Sequence, residues 1–167
     1  MKKGSDSRKQ PFAIGVMGGI GSGKSYVCRL LAQRGIPVYS SDDEAKRLMT
    51  TDPEIVHDLR QLLGNDVYEM ADDQTLRLNK PLVANYLFAS PDHTTRINAI
   101  VHPRVKKDFL RWMSEQSTYV VLVESALLVE SHLVDVVDCV LLVDAPYRLR
   151  LQRTMQRDHA TETQVVS

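Results

Sequence analysis

The residues best equipped for chemistry lie between Gly18 and Ser25, which read GGIGSGKS. Gly18, four intervening residues and then Gly23-Lys24-Ser25 fit the G-x-x-x-x-G-K-[ST] phosphate-loop pattern. Glycines at 18, 19, 21 and 23 let the backbone turn tightly and leave no Cβ between it and an anion. Successive N–H groups of Gly19, Ile20, Gly21, Ser22, Gly23 and Lys24 can then converge on phosphate oxygens. A helix starting near Gly23 adds its unpaired N–H groups and positive dipole end. The Lys24 ammonium can reach the β- and γ-phosphates, and the Ser25 hydroxyl can sit on Mg²⁺. A Lys-Ser pair at the helix start is a phosphate-and-metal arrangement, unlike a dinucleotide-binding loop.

Other candidates are scattered along the chain. Asp42 follows the short run Ile36–Ser40 and heads an acidic triplet, Asp42-Asp43-Glu44. Such acids suit the first turn of a helix. Beyond the C-terminal end of a strand, where open α/β sheets bind ligands, Asp42 can instead accept a hydroxyl proton or help hold a magnesium water shell. Glu124 closes the apolar run Tyr119–Glu124 and can bind the same water shell. Arg153 and Arg157 share a helical face at i, i+4. They read either as a solvated face or as lid arginines that reach phosphates on closure. His102 reads as a polar helix end or as a substrate contact. Leu127 belongs to an apolar shoulder, either core or substrate wall.

These residues need a frame. Phe12–Met17 reads as a short buried strand. Gly23–Arg34 reads as a helix with Val27, Leu30 and Leu31 on one face and Gly35 as its stop. Ile36–Ser40 reads as a second strand and Asp43–Met49 as a helix. A further helix begins at Pro53, with Asp52 as its cap and Gly64 at its end. Residues 65–78 read as a loop with room for a small hairpin, and Asn79 caps a helix reaching Phe88. Residues 91–116 form one or two helices, with a junction or kink at His102-Pro103. Tyr119–Glu124 and Val136–Val143 are nearly continuous apolar runs, suited to parallel strands buried on both faces. A basic helix follows Pro146, and Thr161 with Gln164 resembles a capping box for one more.

The expected architecture is α/β: three layers around a central parallel sheet. Residues 11–167 form one domain after a disordered tail at 1–10. A mainly helical block at 43–116 serves the acceptor substrate, and lid helices occupy 146–167. Closure of such a block excludes water, which would otherwise take a transferred phosphoryl group.

Composition narrows the class. A chain of 167 residues suffices for one domain with a substantial core. Apolar residues make up 43% and charged residues 25%, an ordinary soluble balance. The formal net charge of zero points to no nucleic-acid partner. No apolar run reaches membrane-spanning length, and Met1–Gln10 lacks the apolar core of a signal peptide. Cys28 and Cys139 are too few for a disulfide framework or zinc site, so a reducing cytoplasm is the expected location. Oligomeric state is left open.

Taken in order from Phe12 to Ser167, these segments resemble the dephospho-coenzyme A kinase family. Gly18–Ser25 matches its phosphate loop. Ser40-Ser41-Asp42 stands where the family has Asp-Ala-Asp; the second acid, the base near the acceptor hydroxyl, matches Asp42, and the first is replaced by Ser40. Leu78-Asn79-Lys80 and Leu87-Phe88 resemble a segment that usually carries Arg where Lys80 stands. His102-Pro103 matches a His-Pro pair, with basic Lys106 after it. Glu124–Glu130 stands for Asp-x-Pro-Leu-Leu-Phe-Glu, with Glu124, Ala126 and Val129 as replacements and the Leu127-Leu128 pair kept. Gln152-Arg153 and Arg157-Asp158 match the basic approach to its lid.

The resemblance implies an ATP- and Mg²⁺-dependent kinase. Such an enzyme phosphorylates the ribose 3′-hydroxyl of dephospho-coenzyme A, giving coenzyme A and ADP. Lys24, Asp42, Arg153 and Arg157 would work at the reacting groups, and Lys80, His102, Lys106 and Leu127 on the acceptor side. It also implies a further C-terminal segment, missing here, with the rest of the last helix and a final strand. Ser40, Ala126 and Val129 fit a different P-loop small-molecule or nucleotide kinase, and the altered acids fit a nucleotide-binding regulatory protein.

Overall fold

Residues 10–159 and Thr161 are described by the computed structural model. The expected tail, apart from Gln10, and Gln164 of the expected capping box lie outside the described residues.

Four short strands build the central sheet: β1 (Phe12–Met17), β2 (Val38–Ser40), β5 (Val120–Glu124) and β6 (Cys139–Leu142). They pair in parallel in the order β2-β5-β1-β6. The register sets Val16 on one side of Glu124 and Ser40 on the other. The loop after β1, the turn after β2 and the Glu124 carboxylate therefore meet at one edge, the carboxyl end of the strands. The middle of the sheet is dry: Val16, Val121, Leu122 and Val123 are fully buried, as continuous apolar runs in parallel strands require.

Helix α1 (Lys24–Ala32) packs on one face, where Cys28, Val16 and Leu122 form a small core. The larger core lies with α2 (Ser41–Thr51), α3 (Pro53–Leu63), α4 (Lys80–Ala89) and α5 (Pro91–Ser114). Local signals set several boundaries. The Asp52 carboxylate accepts from the Glu54 and Ile55 amides at 2.9 and 3.0 Å, so α3 starts there. Asn79 caps α4 by accepting from the Leu82 amide at 3.2 Å. Between them, β3 (Tyr68–Met70) and β4 (Leu76–Leu78) form the small antiparallel hairpin.

Of the one or two helices expected over 91–116, the structure has one, Pro91–Ser114, with Pro103 inside it. An interior proline costs about 3 kcal/mol, but the stripe Ile97, Val101, Val105, Phe109 and Met113 is buried on both sides of it. Burying such side chains returns about 1.5–3 kcal/mol each. One expectation needs correction: strand β6 is shorter than 136–143 and is not a buried strand, with Val140, Leu141 and Leu142 43, 39 and 64% exposed. It pairs only with β1 among the described residues, and the start of its apolar run is a 3-10 turn, Leu133–Val136.

A buried carboxylate ties α2, β2 and α5 together. Asp108 on α5 accepts from the Tyr39 hydroxyl and from Arg47 Nη2, both at 2.9 Å, and from Arg111 Nη2. Burial alone would raise its carboxyl, but bonds from Arg111 and Tyr39 and the Arg47 charge outweigh that and hold it below the ordinary range. Tyr39 also packs edge-on against Phe109, 5.3 Å between ring centres.

Candidate active site

Between β1 and α1 the chain turns through Gly21 and Gly23 at φ 76° and 98°, the left-handed region that glycine tolerates. Neighbouring backbone demands the glycines as well. A Cβ on Gly18 would stand 2.3 Å from the Val143 carbonyl oxygen, and one on Gly21 2.3 Å from that of Arg150. Gly19 faces the end of the Arg150 side chain instead. The loop is thus seated on α6 (Tyr147–Asp158). Arg153 Nη1 donates to the carbonyls of Gly21 and Ser22 at 3.3 and 3.2 Å.

The first turn of α1 meets the end of β5. Lys24 Nζ lies 2.8 Å from Glu124 Oε1, and the Ser25 hydroxyl donates to the same oxygen at 2.6 Å. The Lys24 and Glu124 side chains are each only 13% exposed, so the pair is held by packing as well as charge. Beneath it, burial first and the Glu124 charge second push the Cys28 thiol up to about 11, against the pull of Lys24.

Magnesium fits this donor set. Among the described residues no group of three or more His, Cys, Asp or Glu side chains is placed to hold a metal. Mg²⁺ rarely needs one: it keeps several waters and takes one or two protein oxygens plus substrate phosphates. The Ser25 hydroxyl and Glu124 carboxylate, sharing a hydrogen bond beside a glycine cradle, supply that minimum.

The loop opens into a cavity of about 1210 Å³. On one wall stand Ser40, Asp42, Asp43 and Lys46, and on another Asp144, Leu149, Arg153 and Arg157. Asp42 is exposed in the first turn of α2, with the Ser41 hydroxyl 3.4 Å from Oδ1. Asp43 is committed elsewhere. It accepts from Ser40 Oγ at 2.9 Å and Lys46 Nζ at 3.1 Å, bonds that hold its carboxyl below the usual range. Arg157 is bound in a fork to its neighbour Asp158 at 2.7 and 2.8 Å.

Lys80, His102, Lys106 and Leu127 do not line this cavity. Lys80 is exposed at the first position of α4. His102 is partly buried on α5; burial lowers its pKa, and a bond to the Glu130 backbone opposes that. Lys106 pairs with Asp135 at 3.1 Å. Leu127 is 42% exposed. His102 and Lys106 thus attach to the 126–136 segment that follows β5. Sequence reasoning passed over Lys46, Arg150 and Thr154. Only Lys46 carried a signal, its i+4 spacing from Asp42.

A family model described as dephospho-CoA kinase matches residues 12–167. The chain belongs to the dephospho-CoA kinase family. The enzyme named dephospho-CoA kinase from Bacteroides fragilis is 46% identical over 154 residues, 92% of this chain and 73% of that protein. Its counterpart from Porphyromonas gingivalis is 43% identical over 147 residues, 88% and 70% of the two chains. A crystal structure from Thermus thermophilus matches at a TM-score of 0.76 and 30% identity, over 95% of this chain and 78% of that one. A Campylobacter jejuni dephospho-CoA kinase, at TM-score 0.60 and 19% identity over 91% and 75%, shares the fold. Kinase activity of the family's type, and the parallel α/β fold that supports it, are therefore properties of this chain.

Proposed function

We propose that this chain transfers the γ-phosphoryl of ATP to the ribose 3′-hydroxyl of dephospho-coenzyme A, the activity of its family, with the loop-side residues and Asp42 in the roles their positions suggest. The supporting observation is one carboxylate oxygen shared by Lys24 and Ser25, in a cavity that Asp42 also lines. Phosphoryl transfer leaves little covalent work to a protein; positioning and charge stabilisation dominate. Lys24, poised on Glu124, balances charge at the β- and γ-phosphates. Ser25 and Glu124 orient a magnesium ion, which, when bound, neutralises the phosphate oxygens. Asp42 orients the acceptor hydroxyl and takes its proton. Arg153 releases its two loop carbonyls to bring a guanidinium to the phosphates from α6.

The helical block from α2 to α5 forms the acceptor side in this reading. His102 and Lys106 act there by holding the 126–136 segment. Among the described residues no helix is long and apolar enough to cross a membrane. Two free cysteines agree with a reducing cytoplasm as the place of work.

The test incubates the protein with Mg-ATP and dephospho-coenzyme A and looks for coenzyme A by mass. Product and stoichiometric ADP are expected. ADP formed only with a nucleoside or another alcohol would transfer the reading to a different small-molecule kinase.

A further inference from the structure

The loop's own cation, Lys24, is already engaged. Its Nζ lies 2.8 Å from Glu124 Oε1, and the Ser25 hydroxyl donates to the same oxygen at 2.6 Å. The Lys24 and Glu124 side chains are each 13% exposed, so salt and solvent screen the pair little. Both residues line the cavity into which the loop opens. An anion arriving in the glycine cradle therefore finds its ammonium held by a carboxylate. A second acid of that cavity, Asp144, is placed differently: its side chain is 71% exposed, with Arg150 Nε 4.0 Å away.

The two bonds on Oε1 differ in what a ligand must undo. A hydroxyl has one proton and two lone pairs, so Ser25 can keep donating to Glu124 while its oxygen faces a cation. An ammonium has only donors, and Lys24 must turn away from Glu124 to serve phosphate oxygens. Its departure leaves a carboxylate that packing keeps from water, and a buried charge stripped of its partner is strongly destabilising. Phosphate alone adds a second anion beside that carboxylate, whereas a divalent cation restores the missing charge. We infer that Glu124 makes the loop selective for the metal–nucleotide complex: its carboxylate occupies Lys24 until a cation takes the lysine's place, and metal-free nucleotide is turned away. The inference rests on the kinase reading for the donor and its magnesium ion. It adds a coupling between the two, which linkage makes reciprocal.

Calorimetric titration of ADP, once in EDTA and once in excess Mg²⁺, needs no acceptor. Wild type should bind ADP far more tightly with Mg²⁺ than without. Glu124→Gln keeps the shape and removes the charge. In EDTA it should bind ADP about tenfold more tightly than wild type, inside the usual range of coupling free energies, and it should lose most of the gain from Mg²⁺. Glu124→Asp keeps the charge but shortens the reach to Lys24. Its metal-free affinity should fall between the two, and it carries the test if Glu124→Gln does not fold. Asp144→Asn removes an acid from the same cavity without touching Lys24 and should stay within about twofold of wild type, as exposed charges do. Metal-free ADP affinity that is unchanged or weaker in the Glu124 variants would overturn the inference, because a carboxylate that only serves the metal leaves that affinity alone. Equal tightening in Asp144→Asn would overturn it too, as a general effect of charge. A wild type that shows the coupling but makes no coenzyme A would sink the functional reading and leave this one standing.

Discussion

The phosphate end and the proposed acceptor end of this enzyme are built on different plans. At the phosphate end, eight consecutive residues, Gly18–Ser25, supply the cradle. Two long-range partners then lock it: Glu124 across β5 and the first turns of α6 behind the loop. At the acceptor end, Asp42, Lys80, His102 and Lys106 stand on three different helices, and only Asp42 reaches the cavity. The difference is one of preorganisation. A contiguous loop is set by its own φ values and by close backbone approach. A site spread over helices depends on whatever fixes those helices to one another, here the buried Asp108 and the 126–136 segment. The phosphate end should therefore lose catalysis when a single group is removed. The acceptor end should respond to changes far from any substrate.

The largest effect expected is at Lys24. Lys24→Ala removes a charge aimed at transferring phosphate and leaves Glu124 buried without its cation. Turnover should fall by about a thousandfold, the upper range for a preorganised charge-stabilising donor, under conditions where the variant, destabilised by the uncompensated Glu124, is still folded. A coupled ADP-release assay checks it, and near-normal turnover would end the comparison at its strong side. Next comes Asp42→Asn, expected to lower kcat by about a hundredfold, the lower end for general-base catalysis. KM for dephospho-coenzyme A should change little. A kcat that is unchanged across pH would remove the base role and leave Asp42 as a residue of the helix start.

A pair of glycines separates phosphate chemistry from loop seating. Gly21→Ala places a Cβ against the Arg150 backbone carbonyl at a positive φ, so neither the neighbour nor the residue can relax cheaply. It should destabilise by more than about 2 kcal/mol. Gly19→Ala meets only the mobile end of the Arg150 side chain and should cost less than about 1 kcal/mol. Equal costs, read from denaturant melts of both variants, would mean that α6 does not hold the loop.

The two ends also differed in how readable they were. The loop, the Asp52 and Asn79 caps and the carboxylate at the end of β5 follow from neighbours in sequence, and they stand where the sequence placed them. Pro103 left one or two helices open because a local rule cannot weigh the long stripe of buried side chains that carries the helix through it. Strand β6 misled because an apolar run has the same look whether its strand is flanked on one side or two. The seating of the loop on Arg150 and Thr154, and the union of Tyr39, Arg47 and Asp108, join residues far apart in the chain. No spacing rule predicts such contacts.

The sharpest test of the acceptor plan lies at Asp108. Its carboxylate is 9% exposed, while Arg47 and Arg111 are 45% and 62% exposed and can turn to water if it is lost. Asp108→Asn should therefore cost about 1–3 kcal/mol at pH 7 rather than the full penalty of a broken buried pair. The pH dependence has a definite sign. Bonds from Arg111 and Tyr39 depress the folded-state pKa despite burial. The associated stability is complete above the unfolded carboxyl's pKa, about 3.9, and is lost as pH falls through the lower folded value. Acid melts of the wild type should steepen below about pH 4, and those of Asp108→Asn should lack that part of the loss. Loosening α5 from α2 and β2 should raise KM for dephospho-coenzyme A while ADP affinity holds, because the loop rests on β1, β5 and α6 instead. If ADP affinity and acceptor KM shift together, the two ends are mechanically one unit, and the Asp108 network serves the whole fold rather than the acceptor side.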